Sequence, residues 1–199
     1  QAWYPGALGG KAIANILSGE CSPSGKLPVT FYKSISQLPP FTQYEMTTQT
    51  YRYMKETPLY PFGYGLTYSH FKFKDIKIEK KEEYLFNVSV TILNEGLFDT
   101  YNVIEMYIKT PESNVKSPKY QLKQFRKEFF RSNQQQTVTF IIDEQAMSFI
   151  DGNGHRVILK GDYTVYINDG QPDEYTETLY GRKALATAFT VNVPKRIDY

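Results

Sequence analysis

Few residues of this chain have a type and spacing that could support catalysis or metal binding. The two histidines, His70 and His155, lie far apart in the sequence. A metal pair or a Ser-His-Asp arrangement would therefore have no support beyond the presence of those residue types. Cys21 is the only cysteine, which excludes an internal disulfide and a cysteine-based zinc site. Because phosphate-loop and dinucleotide-binding patterns are also missing, we expect structural roles for both histidines and neither a metal ion nor a cofactor.

The composition is typical of a globular protein. Hydrophobic residues make up 41% of the 199 positions, which excludes wholesale disorder, and no apolar run approaches the length of a membrane span. The 23 basic and 21 acidic residues are interspersed, and the most basic region, residues 119–131, is interpreted as a strand with solvated cations. We expect neither nucleic-acid binding nor membrane insertion. The chain begins at Gln1 without an initiator methionine, which predicts that the natural N-terminus lies elsewhere.

Residues 59–71, which we call the crossing, read LYPFGYGLTYSHF and combine many aromatic rings with two glycines. Pro61 favours an extended residue before it, and the glycines permit positive φ or close backbone approach. The rings must cover an apolar surface, because aromatic side chains dominate the energetics of such contacts. The pattern predicts an irregular, packed connection between two units, with five structural junction residues: Tyr60, Phe62, Gly63, Tyr64 and Gly65.

The residues before the crossing predict little regular structure. Apolar residues in 9–17 share one helical face, and Ser18-Gly19 supplies a stop, so one short amphipathic helix is expected. Residues 27–31 predict a short strand, which Pro28 confines to an edge or terminal position. Residues 33–58 show no steady periodicity and predict a long connection that lies on a neighbouring surface.

After the crossing the pattern changes to strands. Phe86, Val88, Val90 and Ile92 alternate with polar residues, as in a strand with one buried face. Similar segments bring the number of strands to about seven, as expected of an immunoglobulin-like sandwich: 71–78, 86–92, 103–109, 122–130, 138–142, 163–167 and 189–193. Residues 175–186 are interpreted as a polar excursion before the last strand.

Four motifs in order give the first seventy residues a specific resemblance. They are WYPG at 3–6 followed by GGKAIA at 9–14, PSGKLPVTF at 23–31, YRY at 51–53 and PFGYGLTYS at 61–69. Together they resemble glycoside hydrolase family 3, the β-glucosidase and β-xylosidase family, and the rest resembles its fibronectin type III-like domain. The implied fold is a mainly β, fibronectin type III-like (immunoglobulin-like) β-sandwich preceded by a short α/β remnant and an extended connecting segment. The implied domains are residues 1–35, the end of the family's α/β sandwich domain; 36–70, the aromatic connection; and 71–199, the β-sandwich.

The resemblance implies an activity for the whole protein rather than for this chain. Retaining hydrolysis of a β-glycoside needs two carboxyl groups about 5 Å apart. In the family the nucleophile belongs to an N-terminal barrel and the acid/base glutamate lies upstream of the WYPG motif, so neither is assigned to a residue here. The acidic residues nearest the motifs are expected to be solvated: Glu20, Glu45 and Glu56. This chain is predicted to be an inactive scaffold.

The resemblance also implies the partners of that scaffold. They are the missing upstream barrel and α/β sandwich domains, and the whole protein acts on an oligo- or aryl-β-glycoside. The motif at 51–53 and the Gly-Gln-Pro turn at 170–172 favour the β-xylosidase branch over the β-glucosidase branch. The alternative from another functional class is a carbohydrate-binding or adhesive β-sandwich.

Two side chains are candidates for substrate binding. Trp3 is the only tryptophan, and an exposed indole can stack on a sugar ring, although packing beneath the helix that begins at Gly9 is the favoured interpretation. Arg52 lies between Tyr51 and Tyr53 and could line a substrate site. A cation stacked on the neighbouring rings is the favoured alternative for Arg52.

Overall fold

The computed structural model describes residues 1–113 and 117–197 of the protein. The helices are α1 (Gly9–Leu17), α2 (Thr50–Tyr53), α3 (Glu144–Met147) and α4 (Glu174–Tyr180), with short 3-10 helices at Ile35–Gln37 and Met46–Thr48. The strands are β1 (Phe71–Glu82), β2 (Leu85–Asn94), β3 (Thr100–Lys109), β4 (Gln121–Phe130), β5 (Gln135–Ile142), β6 (Phe149–Ile150), β7 (Arg156–Ile158), β8 (Gly161–Asn168), β9 (Leu185–Val191) and β10 (Lys195–Ile197).

Seven strands form a sandwich of two antiparallel sheets. One sheet has the order β1-β2-β5, and the other has the order β4-β3-β8-β9. The predicted mainly β, fibronectin type III-like fold is thereby confirmed. A third, small sheet of order β10-β7-β6 was not predicted, because its strands have only two or three residues and show no readable alternation.

Two local predictions are wrong. Residues 27–31 form an isolated bridge between Phe31 and Tyr60 instead of a strand, and Pro28 lacks the N–H that a ladder requires. Residues 175–186 are not merely a polar excursion, since they contain most of α4 and the start of β9. Asp173 caps α4 by accepting a hydrogen bond from the Thr176 N–H at 2.7 Å, and Gly181 ends it with φ 66°.

The core lies between the two large sheets. Val88, Val90 and Ile92 of β2 are 0% exposed, as their alternation predicts. They belong to one cluster with the inward side chains of β3 and β8: Ile104, Met106, Ile108, Tyr163, Val165 and Ile167. The intervening residues of β3 point to the opposite side, which we call the outer face of the four-stranded sheet. The crossing packs on part of this outer face.

The segment before the crossing has little buried apolar surface. α1 forms as predicted, but Ile13 is 40% exposed and Leu17 is 78% exposed. Residues 33–58 contain only short helical turns among the described elements, with Met54 as a buried anchor. No helix in the described part of the chain is long and apolar enough to cross a membrane.

Candidate functional site at the crossing

The crossing pairs with the segment that follows α1 through a short set of backbone hydrogen bonds. Leu27 N–H donates to the Tyr64 carbonyl at 2.9 Å, and Gly63 N–H donates to the Leu27 carbonyl at 2.8 Å. Phe31 N–H donates to the Tyr60 carbonyl at 2.9 Å. These bonds join residues 27–31 and residues 60–64 into one layer, although neither segment is a regular strand.

Two glycines allow this layer to approach its neighbours closely. Gly63 has φ +77°, and a Cβ there would clash with the carboxyl oxygens of Glu105 and lie 3.0 Å from the Cα of Gly170. A Cβ on Gly65 would clash with the carbonyl oxygen of Gly25. Side chains at these positions would push the crossing away from the sheet or break its pairing.

An aromatic cluster fastens α2 and the crossing to the outer face. The rings of Tyr51 and Phe62 stack with centroids 4.4 Å apart. Tyr51 also contacts Tyr107 of β3 at 6.1 Å and Tyr120, just before β4, at 6.2 Å. The Tyr51 hydroxyl accepts a hydrogen bond from Leu122 N–H at 3.0 Å. The sequence predicted a junction role for Phe62 but not its stacking on Tyr51, because a ring in an irregular segment shows no periodicity.

The crossing and the turn that follows β8 also exchange hydrogen bonds. Phe62 N–H donates to the side-chain oxygen of Gln171 at 3.1 Å, and Gln171 N–H donates to the Phe62 carbonyl at 3.2 Å. The two bonds fix the position of the crossing against the turn after β8. Phe62 is therefore held both by its ring and by its backbone.

Tyr180 of α4 links three segments through its hydroxyl group. The hydroxyl oxygen accepts hydrogen bonds from Gly65 N–H at 3.0 Å and from Lys26 Nζ at 3.3 Å. Its proton can be donated to the carbonyl oxygen of Gly65 or of Asp169, each 3.2 Å away. Burial raises the pKa of Tyr180 well above its ordinary value, so the phenol stays neutral.

Asp169, directly after β8, is the buried anion of the junction. It pairs with Arg182 and with Lys26, whose Nζ is 3.6 Å away, and accepts a hydrogen bond from Asn102 at 3.2 Å. Burial alone would raise the pKa of Asp169, but the charges of Lys26 and Arg182 and the hydrogen bonds hold it below its ordinary value. The carboxylate thus ties the segment after α1 to the sandwich.

Glu105 is a second buried carboxyl group and lies under Gly63. Its side chain accepts a hydrogen bond from the Tyr107 hydroxyl at 2.7 Å. Burial raises the pKa of Glu105 to about 7, against the opposing effects of the Tyr107 hydrogen bond and the Lys26 charge. Asp169 adds a smaller increase. Glu105 and Asp169 are each only 4% exposed, so this arrangement is suited to holding two units together and not to acting on a substrate.

Comparison with known proteins agrees with this architecture. Residues 1–68 match the model of the glycosyl hydrolase family 3 C-terminal domain, and residues 102–171 match that of a fibronectin type III-like domain. A putative beta-xylosidase of Formosa agariphila is 38% identical over 190 residues, which cover 92% of this chain and 25% of that protein. A xylan 1,4-beta-xylosidase of Xylanibacter ruminicola is 34% identical over 189 residues, which cover 93% of this chain and 20% of that protein.

A solved structure shows the same likeness in three dimensions. Beta-glucosidase 3B from Thermotoga neapolitana, in complex with glycerol, superposes with a TM-score of 0.84 at 27% identity. This chain belongs to glycoside hydrolase family 3. It corresponds to the C-terminal part of these family 3 proteins and spans between 20% and 28% of their length. The predicted family is thereby confirmed. The match to the family's C-terminal domain ends inside the crossing, at residue 68.

The two candidate substrate-binding residues of this family 3 chain lie outside the buried junction. Trp3 is 55% exposed, so the favoured interpretation, packing beneath α1, is wrong. Pro5 lies against Gly9 at the start of α1 instead. Arg52 is exposed, with its guanidinium carbon 5.8 Å from the centre of the Tyr51 ring. A substrate-binding role for either side chain stays a prediction.

The remaining candidates for chemistry are dispersed over the surface. Glu20, Glu45 and Glu56 are all exposed. His70 and His155 are each near one surface carboxylate, at 4.0 and 3.8 Å. Among the described residues, no three histidine, cysteine, aspartate or glutamate side chains are grouped as a metal site would require.

Proposed function

We propose that the whole protein is an exo-acting retaining β-glycosidase and that this chain provides its non-catalytic scaffold. The observation that carries the proposal is the buried junction, in which Asp169 and Tyr180 of the sandwich region bind Lys26 and Gly65 of the segment matched by the family 3 domain. Retaining hydrolysis needs two closely spaced carboxyl groups at an open site. The buried carboxyl groups of this chain have another role, so the reacting pair comes from the rest of the protein.

The scaffold role is tested in the full-length enzyme with Phe62→Ala. We expect a lower temperature of inactivation with nearly unchanged kcat/KM for an aryl β-glycoside at low temperature, because Phe62 packs on Tyr51 within the junction. Phe41→Ala, at a ring that is 94% exposed, is the matched control and should change neither quantity. A raised KM with unchanged thermal stability would show that the crossing lines the substrate site and would overturn the scaffold role.

The substrate of the whole protein is proposed to be a terminal β-xyloside in preference to a β-glucoside. The two relatives described above carry xylosidase names, whereas the superposed structure is a beta-glucosidase. Paired aryl β-xylosides and β-glucosides assayed with the full-length enzyme decide between them. A higher kcat/KM for the xyloside is expected, and a strong glucoside preference would contradict the assignment.

A second candidate function is carbohydrate binding by the uncovered part of the outer face. Tyr101 is 48% exposed, Phe129 is 43% exposed, and their ring centroids are 5.1 Å apart. Phe125 lies farther along β4 on the same face, and Lys127 lies between them with its Nζ 5.1 Å from the Tyr101 ring centre. Rows of exposed rings on a sheet are suited to stacking on sugar faces.

Titration of this chain with xylo- and gluco-oligosaccharides tests the second candidate. If it is correct, binding is saturable and falls at least tenfold in Phe129→Ala, while Phe41→Ala, at a ring 94% exposed before the crossing, binds normally. Absence of saturable binding in the unsubstituted chain would rule the second function out.

A further inference from the structure

Glu105 lies buried at the contact between the crossing and the four-stranded sheet. Glu105 belongs to the outer face of β3, and its carboxyl oxygens occupy the space that a Cβ on Gly63 would need. Gly63 itself has φ +77° and cannot be replaced by another residue without strain. The crossing therefore lies directly on this carboxyl group, with no side chain between them.

Charged and titratable groups from several elements surround Glu105. On its own strand, Tyr107 donates the hydrogen bond at 2.7 Å. The cation whose charge acts on Glu105 is Lys26, which pairs with Asp169 at 3.6 Å, and no ion pair to Glu105 is present among the residues that the structure describes. Other groups around this buried site are Asp169 directly after β8, Tyr180 on α4 and Arg182 after α4. The rings of Tyr51 on α2 and Tyr120 before β4 contact Tyr107. The crossing contributes backbone only.

The buried site favours the neutral form of Glu105 over the ionised form. A neutral carboxyl group needs no counter-ion and accepts the Tyr107 hydrogen bond in place. An ionised carboxyl group without its own cation carries a large desolvation cost, and the negative charge of Asp169 adds repulsion. Both costs fall if the crossing moves away and water reaches the group.

We propose that Glu105 is a pH-sensitive contact of the junction: its neutral form fits beneath the crossing, and its ionised form loosens residues 59–65 from the outer face. The raised pKa of Glu105, about 7 against an ordinary value of 4.5, agrees with this behaviour. This contact belongs to the junction itself and is independent of the substrate proposed for the whole protein.

The direction of the pH effect on stability follows from the pH at which Glu105 ionises in the unfolded chain and in the folded chain. Between pH 4.5 and 7 the unfolded chain has an ionised Glu105 and the folded chain has a neutral one. The folded state then binds more protons, so stability decreases as the pH rises. The contribution is fully present below pH 4.5, is lost through about pH 7 and changes little above that. The folding equilibrium constant should change on the order of 100-fold over this range.

The experiment compares the chain with Glu105→Gln, which keeps the shape and can still accept the Tyr107 hydrogen bond but does not titrate. Stability is measured by denaturant from pH 4.5 to 8, with hydrogen exchange of residues 59–65 at the two extremes, corrected for the intrinsic pH dependence of exchange. In the unsubstituted chain, protection of 59–65 is expected to fall at the higher pH. In Glu105→Gln the pH dependence of both quantities should be strongly reduced.

A control variant distinguishes the effect of Glu105 from that of other carboxyl groups. Glu79→Gln, at an exposed carboxylate of β1, should keep the full pH dependence. If Glu105→Gln fails to fold, carbon-detected NMR of the Glu105 carboxyl group in the unsubstituted chain gives its midpoint directly. A midpoint near the ordinary 4.5, or an unchanged pH dependence in a folded Glu105→Gln, would overturn the proposal.

Discussion

The β-sandwich and the seventy residues before it maintain their structure in different ways. The sandwich has its own core, in which residues such as Val88, Ile104 and Phe140 are 0% exposed. Before Phe71, Met54 is the only buried aliphatic or aromatic side chain among the described residues, apart from the prolines. The first region is therefore ordered by its contacts with the sandwich, whereas the sandwich is ordered by its own hydrophobic core.

This difference explains why the junction is built from rings and buried charges. A segment without a core gains little from burial of its own aliphatic side chains. Tyr51 and Phe62 instead add area to a surface that the sandwich already provides, and Asp169 fixes the position of Lys26. Stability of the first region thus depends on the second, and the reverse dependence should be weak.

The largest effect is expected from Phe140→Ala, inside the sandwich core. Removing a fully buried phenylalanine costs about 3 to 5 kcal/mol. Because the first region docks on the sandwich, protection from hydrogen exchange should fall in both regions together. Phe125→Ala, at an exposed ring, should change the free energy of unfolding by less than about 0.5 kcal/mol. Retained protection before Phe71 in Phe140→Ala would show that the first region has an independent core.

A smaller and local effect is expected from Phe62→Ala. The ring is half-buried and stacked on Tyr51, so a loss of about 2 to 3 kcal/mol is expected, less than for a fully buried phenylalanine. Hydrogen exchange should show protection lost across residues 9–50, while 86–92 and 163–167 stay protected. Equal loss in both regions would mean that the crossing is part of the sandwich core and that the division at the crossing is wrong.

The smallest effect is expected from Tyr180→Phe. This change removes the hydroxyl that accepts from Gly65 N–H and leaves the ring in place, at a cost of about 1 to 2 kcal/mol. Exchange of the Gly65 amide should accelerate most. Tyr101→Phe, on the exposed part of the outer face, provides the matched control and should leave that amide unchanged. An unchanged Gly65 amide in Tyr180→Phe would show that the hydroxyl does not hold the crossing.

The sequence predicted the elements whose pattern is local. The alternation from Phe86 to Ile92 predicted a strand with one buried face, and the spacing in 9–17 predicted α1 with its observed ends. The rings and glycines of the crossing predicted a packed connection. The strand at 27–31 was wrong because its hydrogen bonds go to Tyr60 and Tyr64 in an irregular arrangement, which no alternation in the segment itself reveals.

The junction charges could not be predicted in the same way. Asp169 stands just before the turn at 170–172 and received no prediction, and Arg182 lay in the segment interpreted as a polar excursion. Glu105 was a single carboxylate between Ile104 and Met106, which marks an outer position on a strand but says nothing about what covers it. Its cover comes from Gly63, a residue distant in sequence.

The sequence alone determined the family, the seven-stranded sandwich and the presence of a special aromatic segment, because motifs, alternation and turn residues are properties of neighbouring positions. Only the tertiary structure decided which carboxyl groups are buried, which of them has a cation, and which ring stacks on which. Those properties depend on distances between segments that are far apart in the chain. Burial raises the pKa of Glu105, whereas the charges of Lys26 and Arg182 and the hydrogen bonds hold the pKa of Asp169 below its ordinary value, and each of these partners is distant in the chain from the carboxyl group or comes from another element.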